Sequence, residues 1–220
     1  MSRSFDAIII GAGQAGPPLA GRLTGAGMSV ALIERHLFGG TCVNTGCMPT
    51  KTLVASAYAA HLARRGADYG IMLDAPPRVD MARVRARADA VTAKARAGVE
   101  DWLRGMKGCS VIKGHARFEA PDTVSVGEER LTAPRIFIDV GGRAVVPPLP
   151  GVDKVPYLTN ASMLALDRLP EHLIIVGGSY KLYRPRIRAD VPTVRHPGDR
   201  RRDAAAAHRS RGRGRLASNP

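Results

Sequence analysis

FDAIIIGAGQAG, which runs from Phe5 to Gly16, is the stretch of sequence that decides the fold. Its apolar run up to Ile10 predicts a buried strand, and the G-x-G-x-x-G pattern that follows predicts a tight turn into a helix. Apolar residues then recur at helical spacing as far as Ala26, and residues 28–33 form a second apolar run that ends at Glu34. Strand, helix and strand in this order predict a right-handed βαβ unit. We therefore expect an α/β, Rossmann-like domain with a parallel sheet.

Three glycines of this turn occupy the positions that a dinucleotide site requires. Gly11 permits the sharp turn, Gly13 lets the backbone approach a pyrophosphate, and Gly16 lets the helix pack closely on the strand. The helix N-terminus offers free N–H groups to the phosphates, and Glu34 can accept hydrogen bonds from a ribose. A strand–turn–helix without a ligand is the alternative. The unit by itself does not distinguish FAD from NAD.

A cysteine pair lies in the motif GGTCVNTGCMPTK, residues 39–51. Four residues separate Cys42 from Cys47, and Pro49 is typical of a helix start. Thiols at a helix N-terminus are stabilised as thiolates and become reactive, and Lys51 would add a positive charge on the same helix face. Half of a zinc site and a pair of unreactive buried thiols are the alternatives. Structural zinc needs about four ligands, and no second Cys/His cluster occurs before the C-terminal tail, so no metal site is expected.

Further elements follow from periodicity and turn signals. After a Gly/Cys/Pro-rich loop over residues 39–50, we expect helices over residues 49–65 and 79–106. The second of these helices has an apolar side made of Val84, Val91, Ala95, Val99, Trp102 and Leu103. Short strands with intervening turns at residues 111–113, 116–118, 123–126 and 130–132 predict a small antiparallel insertion. A buried strand at 135–140, a linker at 147–151 and another strand at 172–176 complete the prediction.

The net charge of +14 is concentrated in the last 40 residues, which carry 12 Lys/Arg against 3 Asp. This tail, residues 181–220, has no sustained apolar period, so we expect it to be disordered. No apolar run approaches the ~20 residues of a membrane helix, and the N-terminus lacks the pattern of a signal peptide. Three cysteines are too few, and odd in number, for a secreted disulfide scaffold. We expect a cytoplasmic protein without a membrane segment.

The cysteine motif, together with the Gly-rich turn and Glu34, resembles the class I pyridine nucleotide-disulphide oxidoreductases, and mercuric-reductase-like FAD oxidoreductases in particular. The resemblance runs from about Phe5 to Tyr180. It implies an incomplete FAD-binding domain with a redox disulfide over residues 1–150, and the start of an NAD(P)-binding domain over 151–180. Electrons would pass from NAD(P)H through FAD to the Cys42–Cys47 disulfide, and on to a small-molecule or metal-ion substrate such as a disulfide or mercuric ion.

The resemblance also implies residue roles. Cys47 would face the flavin, and Cys42 would be the thiol that attacks the substrate. The residues expected to bind FAD are Gly11, Gly13, Gly16 and Glu34 at its ADP part, Gly40, Thr41 and Lys51 along the flavin and its phosphates, His115 and Ala116 at the adenine, and Gly141.

The chain departs from the family pattern in two places. Asp139-Val140-Gly141 stands where the family has Ala-Thr-Gly. After Tyr180 the expected apolar and glycine residues of an NAD(P)-binding turn are replaced by Lys181 and a basic sequence. An out-of-frame tail would explain this change. The family's homodimerisation domain is not present in the sequence. His196 and His208 match no catalytic motif. We therefore expect a fragment with impaired turnover.

Two other functions compete with this interpretation. The first is an FAD- or nucleotide-binding module without catalysis. The second is nucleic-acid binding through the basic tail, since Lys/Arg clusters bind phosphates non-specifically. Tyr183 is the tail's one aromatic residue and the tail has no recognisable motif, so nucleic acid is the least favoured partner.

Overall fold

The structure is a computed structural model that describes residues 2–168, 170, 172–176 and the backbone of 193–195. The chain divides into two compact units. The first holds residues 2–53 and 82–167, and the second holds residues 54–81 and the described residues from 168 onwards. All the described residues of the predicted site lie in the first unit.

A parallel four-stranded sheet forms the centre of the first unit. Its strands are β2 (Ala7–Ile10), β3 (Val30–Glu34), β4 (Cys109–Lys113) and β8 (Ile136–Ile138), in the spatial order β4-β3-β2-β8. Helix α1 (Gly16–Gly25) connects β2 to β3. The predicted βαβ unit and parallel sheet are therefore confirmed.

A second sheet packs against the first. It contains β1 (Ser2–Ser4), β5 (Ala116–Ala120), β6 (Thr123–Val126) and β7 (Glu129–Thr132), in the order β1-β7-β6-β5. The pairs β5–β6 and β6–β7 are antiparallel, which confirms the predicted insertion for three of its four strands, and β1 joins β7 in parallel. The prediction was wrong for residues 111–113, which lie in β4 and pair in parallel with β3.

The alternation of buried residues along the central strands explains this layering. On β3, Val30 and Leu32 belong to one core cluster, whereas Ala31 and Ile33 belong to another. The first cluster packs against side chains of α1 and α4 (Met81–Arg104), and the second against the antiparallel sheet. Both faces of the central strands are covered, so their sequences are continuously apolar.

The remaining elements are α2 (Gly40–Thr45), α3 (Cys47–Arg64), β9 (Leu173–Ile175), β10 (Thr193–Arg195) and three short 3₁₀ helices. No helix of the described residues combines the length and the hydrophobicity that a membrane crossing requires.

Two further predictions need correction. Residues 40–45 were expected in a loop but form α2, because Gly39 begins the helix at a left-handed φ of 86° and Asn44 bonds back to its start. Trp102 is predicted on the apolar side of α4 but is 50% exposed, and its ring lies beside Gly21 of α1, which has no side chain to cover it.

Within the tail expected to be disordered, the structure describes only the backbone of residues 193–195. Residues 193–195 form β10, which pairs in parallel with β9. This pairing uses main-chain hydrogen bonds, which need no apolar periodicity in the sequence. The rest of residues 181–220, with His196 and His208, lies outside the described residues, as does the predicted turn at 177–180.

Candidate functional site

The turn between β2 and α1 can be built only with glycine at two of its positions. Gly11 has a φ of 117°, and a Cβ there would overlap the carbonyl oxygen of Asp139. A Cβ on Gly16 would overlap the carbonyl oxygen of Gly11. The Gly11 N–H donates to the Ile33 carbonyl at 2.8 Å, which fixes the turn against β3. The turn therefore has the tight geometry that the G-x-G-x-x-G pattern predicts.

Free hydrogen-bond donors line this turn. Among the residues that the structure describes, the N–H groups of Gly13, Gln14 and Ala15 have no hydrogen-bond acceptor, and Gln14 and Ala15 are exposed. Pro17 and Pro18, which follow Gly16, have no N–H to offer. An anion at the N-terminus of α1 would therefore be bound by the turn itself, with the positive end of the helix dipole behind it.

Glu34 ends β3 beside the turn. One of its carboxylate oxygens accepts a hydrogen bond from the Ala12 N–H at 2.8 Å, and the other accepts one from the His36 N–H at 2.8 Å. Because each carboxylate oxygen has two lone pairs, Glu34 can still accept hydrogen bonds from the hydroxyls of a ribose.

Cys42 and Cys47 form a disulfide, with their Cα atoms 4.7 Å apart. Cys42 lies in α2 and is half-buried, whereas Cys47 is the first residue of α3 and is exposed. Gly46 separates the two helices, and a Cβ there would lie 2.6 Å from the Thr41 carbonyl oxygen. The chain can therefore close this small loop only because the residue before Cys47 has no side chain.

The disulfide segment is bonded directly to the Gly-rich turn. The Gly39 N–H donates to the Ala12 carbonyl at 2.7 Å, and the Gln14 side-chain amide donates to the Gly39 carbonyl at 3.2 Å. Gly40, at a φ of 58°, comes so close that a Cβ there would lie 2.8 Å from the Gly13 Cα. Cys42 follows two residues later, so one ligand could contact both the turn and the disulfide segment.

Asn44 and Arg96 hold α2 in place, and sequence reasoning identified neither. The Asn44 side-chain amide donates to the carbonyls of Phe38 and Gly40, each at 2.9 Å. The Arg96 guanidinium, reaching from α4, donates to the Asn44 side-chain oxygen at 2.8 Å. Asn44 could have been suspected from its place between the cysteines, but nothing in the sequence links it to Arg96, 52 residues away.

The remaining predicted residues lie around this centre. Thr41 and Lys51 are exposed, on α2 and α3 respectively. The Gly114 N–H donates to the Glu34 carbonyl at 3.0 Å, which places the exposed His115 and the half-buried Ala116 just beyond the end of β3. Gly141 is exposed and follows β8 in a left-handed conformation.

Two other groups in this unit have shifted pKa values. Burial raises the pKa of the Cys109 thiol on β4, which is free and takes no part in the disulfide. The pKa of Asp6 is lowered by hydrogen bonds from the backbone N–H of Ser29 and then from its hydroxyl.

Comparison with known proteins agrees with this geometry. Residues 5–181 match the family described as pyridine nucleotide-disulphide oxidoreductase. The mercuric reductase of Bacillus cereus is 37% identical over 177 residues, which are 80% of this chain and 28% of the relative. The dihydrolipoyl dehydrogenase of Acholeplasma laidlawii is 32% identical over 182 residues, covering 81% of this chain and 54% of the relative.

The solved structures give the same result. A Cu(II) complex of the HOCl-induced flavoprotein disulfide reductase RclA from Escherichia coli superposes with a TM-score of 0.74 at 32% identity. The match covers 88% of this chain and 42% of that one. The chain therefore spans between about a quarter and about half of the length of these relatives.

Proposed function

The chain belongs to the pyridine nucleotide-disulphide oxidoreductase family, and on that premise we propose that it is an FAD-dependent oxidoreductase with Cys42 and Cys47 as its redox-active pair. FAD and NAD(P)H are the cofactors of this family. In the proposed reaction, electrons pass from NAD(P)H through FAD to the disulfide and on to a substrate. The observation that carries the proposal is the disulfide itself, held two residues from a glycine that touches the Gly-rich turn.

The residues present fit FAD. Three unpaired N–H groups at residues 13–15 supply donors for a diphosphate, and Glu34 supplies an acceptor for a ribose. Because Gly13 carries no side chain, a phosphate can approach its backbone, and because Gly40 carries none, the disulfide segment lies close against the turn. The exposed side of Cys47 is the proposed contact with the flavin ring. His115 and Ala116 are proposed to contact the adenine. The rest of the FAD molecule is proposed to lie along Thr41, Lys51 and Gly141.

The bound flavin would supply two-electron transfer. On the protein, two electrons and two protons convert the Cys42–Cys47 disulfide into two thiols. The Cys42 thiolate then attacks one sulfur of a disulfide substrate, forms a mixed disulfide and releases the first substrate thiol. The Cys47 thiolate attacks Cys42, releases the second substrate thiol and restores the internal disulfide. The N-terminus of α3 stabilises the Cys47 thiolate during this cycle, and Lys51, one turn further, adds a positive charge.

The substrate class follows from the thiol chemistry. Two thiolates bind soft metal ions and exchange with disulfides. Mercuric reductases and a disulfide reductase are among the similar proteins. We include mercuric ion and a small disulfide as the two substrates to be tested.

Thiol counting tests the redox pair. The chain has three cysteines, so alkylation in denaturant should modify one cysteine before reduction and all three after it. In the presence of FAD and NADPH without another reductant, the same change from one to three would show electron transfer to the pair. Cys42→Ser and Cys47→Ser are matched variants, each expected to leave two alkylatable cysteines in every condition. If the wild type shows three free thiols before reduction, the assignment of the redox disulfide is wrong.

The alternative is a module that binds FAD or another nucleotide without catalysis. The short span of the chain relative to similar proteins favours testing it. FAD titration followed by flavin fluorescence measures binding, and stopped-flow absorbance after mixing with NADPH or NADH measures reduction. Binding without reduction supports the module. Reduction at about 1 s⁻¹ or faster, the lower range of ordinary turnover, supports the oxidoreductase.

A further inference from the structure

Asp139 points its side chain at the Gly-rich turn. Its Oδ2 atom lies 3.5 Å from the position that a Cβ on Gly16 would occupy, and 4.0 Å from that on Gly13. The Asp139 backbone is fixed beside the turn, because its N–H donates to the Ile10 carbonyl at 2.8 Å and its carbonyl oxygen abuts Gly11. The carboxylate therefore starts from a position next to the turn.

This carboxylate oxygen is buried, and it has no hydrogen-bond partner among the described residues. Leaving such an oxygen without a partner is unfavourable. The neighbouring N-terminus of α1 favours a negative group through its helix dipole, and its first turn has no acidic residue of its own. The Asp139 carboxylate therefore lies at the same positive helix N-terminus that a bound diphosphate would contact.

We propose that Asp139 limits the affinity of the Gly-rich turn for phosphorylated cofactors, because its carboxylate competes with the diphosphate for the N-terminus of α1. This inference rests on the proposed function, in which FAD binds at this turn. Glu34, the other carboxylate beside the turn, differs because both of its oxygens accept backbone hydrogen bonds. Removing the charge at 139 alone should therefore strengthen binding.

The experiment compares three ligands on the full chain by fluorescence or calorimetric titration. FAD and ADP carry a diphosphate, and riboflavin carries no phosphate. Asp139→Asn and Asp139→Ala should each bind FAD and ADP about tenfold more tightly than the wild type, equivalent to about 1.4 kcal/mol, and riboflavin equally well. Asp153→Asn removes the same charge from an exposed position in the same unit, so it should leave all three affinities unchanged.

The outcomes separate this inference from the proposed function. If the wild type binds FAD and both variants at 139 bind it within twofold of that affinity, the inference is wrong and the proposed function stands. If tightening occurs only in Asp139→Asn, the new amide and not the lost charge is responsible, which also overturns the inference. If neither wild type nor variants bind FAD, both proposals fail. A purely structural role would raise thermal stability without ligand while leaving the affinities unchanged.

Discussion

Replacing Gly40 with alanine tests the close approach between the disulfide segment and the Gly-rich turn. The φ of 58° costs an alanine about 1–2 kcal/mol. The new Cβ would also lie 2.8 Å from the Gly13 Cα. Because backbone must move to relieve this overlap, a further 1–3 kcal/mol or so is expected. We therefore expect the free energy of unfolding to fall by about 2–5 kcal/mol. FAD binding should weaken as Gly13 is displaced.

Urea denaturation measures this change through the fluorescence of Trp102, which is the chain's single tryptophan and belongs to the same unit. Gly98→Ala is the matched control. Gly98 lies inside α4, a Cβ there would meet nothing within 4 Å, and its φ is not left-handed. Alanine at 98 should raise stability by about 0.5–1 kcal/mol. The reasoning is refuted if Gly40→Ala unfolds within about 0.5 kcal/mol of the wild type, the range of an inert surface substitution.

Four further measurements address single contacts. Glu34→Ala should weaken FAD binding in titrations and lower the free energy of unfolding by about 1.5–3 kcal/mol, because two backbone N–H groups lose a charged acceptor; unchanged binding would contradict the ribose role. Asn44→Ala should lower the free energy of unfolding, measured by urea denaturation, by about 1–3 kcal/mol, since two carbonyls and a guanidinium lose their partner. Because the pKa of Asp6 is lowered in the folded state, its carboxylate stabilises the fold at pH values above the ordinary pKa of an aspartate, and this stabilisation is lost as the pH falls through the folded-state pKa. Asp6→Asn should therefore flatten the acid side of a curve of melting temperature against pH. Because burial raises its pKa, Cys109 should react with iodoacetamide at neutral pH more slowly than the two thiols released by reduction, and equal rates would argue against its burial.

The sequence predicted the β2–α1–β3 unit because each element carries a strong local signal. The strands are continuously apolar, and the turn between them needs glycine for steric reasons that a single motif captures. The position of Glu34 next to the turn follows from the short β2–α1–β3 unit. The pairing of Cys42 with Cys47 was expected from the family resemblance, because the spacing alone left half of a zinc site and a pair of unreactive thiols open.

Features that depend on distant contacts were not predictable in the same way. The strand Ser2–Ser4 is polar and exposed, and it forms through main-chain pairing with β7, more than 120 residues later. Helix α2 has six residues, too few to give an apolar period, and it depends on the left-handed Gly39 and the side chain of Asn44. Asp139 stood out as a departure from the family pattern, but its position next to the Gly-rich turn could be known only from the order of the strands in the sheet.

The order and register of the parallel sheet explain why a residue so far along the chain meets the Gly-rich turn. All four strands end at one edge of the sheet, where ligands of open α/β sheets bind. Ile10 on β2 pairs with Ile138 on β8, so the residue that follows each strand, Gly11 in one case and Asp139 in the other, comes to the same level. Successive side chains of β2 pack into different core clusters, so a slip of one residue in the register would exchange them between the two faces of the sheet. The pairing of β8 with β2 therefore fixes which residue lies next to the turn, and our proposal for Asp139 predicts that a change at this single position alters cofactor affinity.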